Sequence, residues 1–192
     1  EEGIGYLQIT EFDTVTLDQF NEAMAELRAD DMKGLILDLR SNPGGDLSVV
    51  VEIARRLLPA GLITYTEVPS GQRTEYTCDG EYEIDIPMVV LINGYSASAA
   101  EILAGAIPDH NKGAVEGTTS YGKGIVQRLI TLEDGSAVKL TVSGWCTPNG
   151  NNIQGSGIEP DVEAEYDTDL AETEGLDSQV EKGIEILKEK IG

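Results

Sequence analysis

The chain has 192 residues, 40% of them hydrophobic, which is enough for one domain with a sizeable core. Its 35 acidic and 13 basic side chains give a formal net charge of -22, and such a surface repels nucleic acid and anionic membranes. No apolar run reaches the roughly 18 residues that a membrane span needs. The opening residues EEGIGYLQIT have the pattern of a strand, and no signal peptide is visible.

Hydrophobic periodicity predicts strands and helices that alternate along the first part of the chain. Strands are predicted over 3–10, 33–40, 62–68, 86–93, 113–118, 124–132 and 137–145, and helices over 17–29, 47–58, 99–107 and 178–192. Thr16 and Asp46 are the predicted N-caps of the first two helices. Strands that alternate with helices predict an α/β domain with crossover connections.

The last part of the chain is polar and acidic. The Gly- and Asn-rich stretch 147–161 is predicted to be a loop, and the run from Glu159 to Glu181 contains no Lys or Arg, which indicates a solvated segment. The closing helix has one apolar stripe, made of Val180, Ile184 and Leu187. We therefore expect a core of residues 1–166, with the acidic segment and closing helix, 167–192, packed on it.

Three motifs suggest chemistry that their context disfavours. GTTSYGKG (117–124) matches a phosphate-binding loop, but Gly124 stands where Ser or Thr would hold magnesium, and a strand follows instead of a helix. Ser120 and Lys123 form an S-x-x-K, which needs a helical turn that the neighbouring glycines disfavour. The run DTDLAETEGLD lacks oxygen ligands at calcium-loop spacing. We expect no metal, because a hydrolytic metal site needs a cluster of histidines and His110 is the only histidine.

Ser98 begins the helix that follows the strand 86–93, and it has two compatible interpretations. Ser98-Ala99-Ala100-Glu101 fits the capping box, in which serine and glutamate satisfy amides of the first turn. Alternatively, its hydroxyl is a nucleophile. His110, the only histidine, lies at the other end of this helix, more than about 10 Å away at 1.5 Å per residue. It is therefore expected to be a plain surface residue.

A nucleophilic serine without a histidine needs another base, and lysine is the remaining candidate class. A lysine base has to be neutral, which takes about 3–4 kcal/mol of differential environment, best supplied by burial. Lys123 lies between two glycines ahead of an apolar strand, where we expect the backbone to carry it into the interior. Gln127 is on the same face and is expected to hold the lysine. The Gly44 and Ala99 amides are candidates for an oxyanion hole.

Four segments, in this order, closely resemble the carboxyl-terminal processing proteases, also called tail-specific proteases. They are LILDLRSNPGG, LINGYSASAAEILAGA, GTTSYGKGIVQ and DGSAVKLTVSGWCTPNGNNIQGSGIEPD. The resemblance extends over about residues 3–163 and implies a crotonase/Clp-protease-like α/β domain built from ββα units. The roles that it implies are nucleophile for Ser98, general base for Lys123, orientation of the lysine for Gln127, and oxyanion hole for Gly44 and Ala99.

The resemblance implies a serine endopeptidase that cleaves peptides or protein C-terminal tails through an acyl-enzyme. It further implies that the protein needs no cofactor and is exported in a bacterium, to the periplasm, the cell envelope or the outside. The alternative is a catalytically silent peptide-binding domain of the same fold. The sequence does not indicate the oligomeric state.

The chain departs from the family pattern in three places. No PDZ domain precedes GIGYLQIT, and the amino-terminal helical segment of the family is missing, so a docking domain or partner is expected to lie outside this chain. The chain is then either an excised catalytic domain or a relative without the docking module. Trp145-Cys146 stands where the family commonly has two aromatic residues. Cys78 and Cys146 could form a disulfide, but the sequence does not decide whether they pair.

Overall fold

The structure is a computed structural model that describes residues 3–191. In chain order its elements are β1 (Ile4–Gln8), α1 (Thr16–Ala29), β2 (Gly34–Asp38), α2 (Leu47–Ala54), β3 (Gly61–Glu67), β4 (Arg73–Cys78), β5 (Met88–Ile92), α3 (Ala99–Asp109), β6 (Gly113–Gly117), β7 (Ile125–Thr131), β8 (Ala137–Cys146), β9 (Val162–Glu163), α4 (Thr168–Glu174) and α5 (Ser178–Ile191). Every predicted strand and helix is present, so the α/β alternation of the sequence is confirmed.

A parallel sheet in the order β1-β2-β5-β6-β9 forms the centre of the molecule. Every residue of β2 and β5 is buried, as expected for continuous apolar strands that are covered on both faces. Helices α1, α2 and α3 contribute side chains to the main core on one face. On the other face α5 covers a smaller core, which we call the α5 core: Ile36, Val89, Leu91, Ile184 and Leu187.

A second, antiparallel sheet has the order β4-β3-β8-β7. Its β7–β8 hairpin extends into solvent, because every residue from Gln127 to Thr141 is exposed. Several exposed residues of this hairpin are large and apolar: Leu129, Ile130, Leu132, Val138 and Leu140. The two sheets therefore differ sharply in packing, and the catalytic candidates are divided between them.

The cap predictions have different outcomes. Asp46 caps α2, and its carboxylate accepts the Ser48 amide at 2.7 Å. The prediction for Thr16 is wrong, because Thr16 is the first helical residue and Val15 occupies the N-cap. The Asp13 carboxylate instead accepts the amide of Thr16 at 3.1 Å. The carboxylate of Asp13, three residues before Thr16, is therefore the acceptor for a free amide at this end of the helix.

Three elements are absent from the sequence predictions, and α2 is shorter than predicted. The missed elements are β4, β9 and α4. β9 has two residues and α4 has no buried residue, so neither leaves a hydrophobic pattern. β4 is polar and pairs along the edge of its sheet. Helix α2 ends at Ala54, and soon after it the Arg56 and Leu57 amides bond three residues back instead of four.

Two further sequence questions are answered by the fold. Cys78 and Cys146 are both buried free thiols. His110 is half-buried, and its Nε2 lies 2.7 Å from the Leu62 carbonyl oxygen, so the prediction of a plain surface residue is wrong. It follows the last residue of α3, the helix that Ser98 begins. Within residues 3–191 no helix is long and apolar enough to cross a membrane.

Candidate active site

Ser98 lies in a tight turn between β5 and α3. It occupies the N-cap of α3 with φ +57° and ψ -114°, a backbone conformation that non-glycine residues rarely adopt. The buried Ser96 stabilises this turn, because its hydroxyl donates to the Leu39 carbonyl at 2.8 Å and accepts the Asn93 amide at 3.0 Å. Strained residues of this kind persist where the surroundings hold them, and they cluster at functional sites.

The buried Glu101 connects the Ser98 turn to the segment that contains Lys123. Its Oε2 accepts the Ser98 amide at 2.8 Å and the Lys123 amide at 2.9 Å. Its Oε1 accepts the Ser120 hydroxyl and the Gly122 amide, both at 2.6 Å. An ionised carboxylate offers about four acceptor sites, and these four donors occupy them. Glu101 therefore holds the backbones of Ser98 and Lys123 beside each other.

Gly44 lies directly against the same turn. It has φ +103°, and a Cβ on it would lie 2.8 Å from the Ser98 Cβ and 2.9 Å from the Ala99 nitrogen, so only glycine fits. The buried Asn42 holds this loop, since its carbonyl accepts the Ala97 amide at 2.9 Å. The Asn42 side chain also accepts the Gly44 amide at 2.8 Å.

The two candidate oxyanion donors, the amides of Ala99 and Gly44, therefore differ in their existing hydrogen bonds. Ala99 is the first residue of α3, where an amide has no acceptor within the helix. The Gly44 amide already donates to Asn42. An oxyanion can accept the Ala99 amide directly, whereas the Gly44 amide has to exchange its partner first.

The side chains of Lys123 and Gln127 do not lie in the interior. Both residues are exposed, so the expectation that the backbone carries Lys123 into the core is wrong for this conformation. Gln127 Nε2 is 3.5 Å from the Thr141 hydroxyl across the hairpin. The physical reason is that the described part of the chain leaves both Lys123 and the strand from Gln127 onward open to solvent. Within residues 3–191 the structure thus joins Gly44, Ser98 and Ala99 with the Lys123 backbone, but it leaves the Lys123 and Gln127 side chains in solvent.

An ion-pair network lies immediately before the Gly44 loop, and the sequence interpretation did not include it. Arg40 pairs with Asp38 at 2.6 Å and with Asp177 at 2.9 Å, and it donates to Gln179 at 2.9 Å. Burial disfavours the charge on Arg40, but the hydrogen bonds and charges of Asp38 and Asp177 together outweigh it and raise the Arg40 pKa. Burial and the bond to Asp38 raise the pKa of Tyr6 to about 12.

The signal for this network in the sequence is weak. Asp38 and Arg40 are two residues apart at the end of a buried strand, where a charged pair is unusual. Their partners Asp177 and Gln179 are more than 130 residues away in the chain. Only the docking of α5 brings these side chains together.

Residues 3–164 match peptidase family S41. The chain belongs to this family. A carboxyl-terminal-processing protease of Synechocystis sp. is 39% identical over 160 residues, which are 83% of this chain and 38% of that protein. The chloroplastic C-terminal processing peptidase of Tetradesmus obliquus is 37% identical over 175 residues, 90% of this chain and 38% of that protein.

Solved structures agree with this assignment to family S41. The photosystem II D1 C-terminal processing protease superimposes with a TM-score of 0.82 at 37% identity, covering 84% of this chain and 42% of that one. The predicted fold class and the resemblance to carboxyl-terminal processing proteases are thereby confirmed. This S41 chain spans less than half the length of these relatives.

Proposed function

We propose that this S41 chain is the catalytic domain of a serine endopeptidase that acts through Ser98 and Lys123. The observation that carries the proposal is the carboxylate of Glu101, one oxygen of which accepts both the Ser98 and the Lys123 amides. With both backbones held in this way, the proposed reaction needs the Lys123 side chain to turn from solvent toward the serine hydroxyl. The strained N-cap conformation of Ser98 supports the same assignment.

In the proposed reaction the neutral amine of Lys123 takes the proton from the Ser98 hydroxyl while Oγ attacks the substrate carbonyl carbon. The negative charge moves to the carbonyl oxygen, where the Ala99 and Gly44 amides stabilise it. The proton then passes to the leaving amine as the C–N bond breaks, which leaves an acyl-enzyme. Water, deprotonated by the same lysine, hydrolyses the ester and restores the serine.

The reaction requires a different arrangement of the base from the one described above. The Lys123 side chain has to leave solvent, because burial favours the neutral amine. Gln127 is proposed to orient it there. We infer that substrate or a docking partner covers the exposed hairpin and excludes water. The Lys123 side chain is then aligned with Ser98 only when the hairpin surface is occupied.

The proposed substrates are protein C-terminal tails, as the names of the similar proteases indicate. The proposed location is outside the bacterial cytoplasm. A docking domain or partner outside this chain is proposed to present the tail. An open groove of about 390 Å³ lies next to the base, with Gly124, Ile125 and Ser143 in its wall, and it is the proposed path for an extended peptide.

A serine-reactive fluorophosphonate probe tests the proposal, in the presence and absence of an unstructured peptide with a free C-terminus. We expect the probe to label Ser98, with more labelling when the peptide is present. Ser98→Ala should remove the label, and Lys123→Ala should reduce it strongly. Labelling that persists in Ser98→Ala, together with peptide hydrolysis, would exclude this nucleophile.

A second candidate function is a catalytically silent peptide-binding domain. Two observations favour it: the Lys123 side chain is exposed, and the Gly44 amide is already bonded to Asn42. This function predicts that a tail peptide binds with measurable affinity while the probe does not react with Ser98. Calorimetry with the same peptide and the same probe reaction therefore separates the two functions.

A further inference from the structure

Glu116 is a buried acid outside the catalytic site. It lies on β6, between Leu91 of β5 and Val162 of β9, and its side chain is fully buried. Within residues 3–191 neither of its carboxyl oxygens has a hydrogen-bond partner. Gly183 of α5 covers it so closely that a Cβ there would lie 3.2 Å from Oε2.

The surroundings of this carboxyl group are mainly apolar. The atoms near Gly183 include side-chain carbons of Ile36 and Val89, which belong to the α5 core. A carboxylate that is buried without a partner is strongly disfavoured, so such groups either carry a proton or return to water. For Glu116, a return to water requires α5 to move away from the sheet.

The charged groups near Glu116 do not form an ion pair with it. Arg40 and Lys182 favour its ionised form, whereas Asp177 and Glu185 oppose it. Arg40 donates to Asp177, and Lys182 donates to Glu185 at 2.9 Å. Burial is the largest effect, and it raises the pKa of Glu116 to about 7.

The neighbouring strands add no compensating cation. β5 contains only apolar residues, Met88–Ile92. β9 contributes Glu163, which is acidic and exposed. In the described part of the chain, the buried carboxyl group of Glu116 therefore becomes neutral by carrying a proton.

The position of α5 also affects the loop that contains Gly44. Gln179, at the start of α5, donates to the Ala164 carbonyl at 2.7 Å and accepts a hydrogen bond from Arg40 at 2.9 Å. Arg40 directly precedes the loop 41–45. Loosening of α5 would thus weaken one of the supports of this loop.

We propose that the protonation state of Glu116 controls the docking of α5, and we call this contact the Glu116 latch. Helix α5 stays docked on the sheet while the carboxyl group carries a proton, and it loosens when that proton is lost to solvent. The direction of the pH dependence follows from the difference between the Glu116 pKa in the folded and in the unfolded chain. The folded state keeps this proton to about pH 7, whereas an unfolded chain loses it near the ordinary glutamate value of 4.5. The latch therefore stabilises the docked helix fully below about pH 4.5 and loses its effect as pH rises to about 7.

Amide hydrogen exchange between pH 5.5 and 7.5, corrected for intrinsic rates, tests the latch without any assumption about proteolysis. We expect the protection of α5 amides such as Leu187 to fall by tenfold or more over this range, relative to β5 amides such as Val90. Glu116→Gln should remove this decrease. The matched control is Glu163→Gln on the same sheet edge, which should behave as the wild type. Protection that does not depend on pH, or a decrease that persists in Glu116→Gln, overturns the proposal.

If Glu116→Gln does not fold, a second variant and a direct titration keep the test decisive. Glu116→Val replaces the acid by an apolar side chain that matches Val89 in the same layer, and it should also remove the pH dependence. In the wild type labelled with carboxyl-¹³C glutamate, one carbon signal should titrate near pH 7 and be absent from Glu116→Val. If every glutamate titrates below about pH 5, the latch does not exist.

Discussion

The residues around Ser98 and those around Lys123 have contrasting surroundings, although one carboxylate joins their backbones. The Ser98 turn lies between β5, which is entirely buried, and α3, which is buried from Ala99 to Ile107, and Ser96 and Asn42 hold it through hydrogen bonds. The Lys123 side chain precedes a hairpin whose residues are largely in solvent.

This difference indicates which half of the proposed dyad is preformed. The turn that carries the nucleophile needs no further packing, because buried partners already determine its conformation. The base requires an environment that this conformation does not supply, namely exclusion of water around its amine. If the proposed dyad is correct, we expect the protease to stay inactive until something covers the hairpin.

The largest effect on activity is expected at Ser98, the preformed half of the proposed dyad. Ser98→Ala should lower kcat/KM for a tail peptide by more than about 10⁴-fold, because the other hydroxyl at this turn, that of Ser96, is buried and already bonded to Leu39 and Asn93. The free energy of unfolding should fall by no more than about 0.5–2 kcal/mol, the usual cost of replacing an N-cap serine by alanine. Peptide hydrolysis and urea denaturation measure the two quantities. Near-normal hydrolysis by this variant would contradict the assignment.

Glu101→Gln tests the connection between the two regions. A Gln side chain has one NH₂ group, so two of the four donors around Glu101 would face another donor. We expect a loss of about 2–4 kcal/mol in unfolding free energy and a decrease of about 10²-fold in probe labelling of Ser98. Ser120→Ala is the control, because it removes one donor and leaves the bonds to Ser98 and Lys123. Equal effects of the two variants would contradict the bridging role.

Truncation of one leucine in each region compares their packing directly. Leu103→Ala creates a cavity in the main core and should cost about 2–5 kcal/mol of unfolding free energy. Leu140→Ala in the exposed hairpin should cost less than about 0.5 kcal/mol. Chemical denaturation of both variants gives the comparison. A large loss of stability from Leu140→Ala would mean that the hairpin is packed in solution.

The smallest effect is expected for Gln127→Ala. In this conformation Gln127 makes only a long contact with Thr141, so the unfolding free energy should be unchanged. If it orients the lysine in the aligned state, kcat/KM should decrease by about tenfold while the Kd for the tail peptide stays the same. The control is Thr141→Ala, which removes the contact across the hairpin. An equal loss of activity in both variants would assign the role to the hairpin contact instead.

The sequence by itself determined the α/β alternation, the buried strands β2 and β5, the Asp46 cap and the start of α3 at Ser98. These features depend on residues within a few positions of one another, such as a continuous apolar run or an acceptor beside the first turn. The family motifs are local in the same sense. Each is a short segment that can be identified without knowing what packs against it.

Only the tertiary structure decided the environment of individual side chains. Glu101 satisfies its helix start as the sequence indicates, but its bonds to residues 120–123 depend on how two distant segments meet. Lys123 precedes an apolar strand and is nevertheless exposed, because in residues 3–191 only the beginning of that strand, Ile125 and Val126, is partly buried. Glu116 is buried only because α5 packs over it. Burial is a property of spatial neighbours, and those neighbours come from parts of the chain that no local pattern connects.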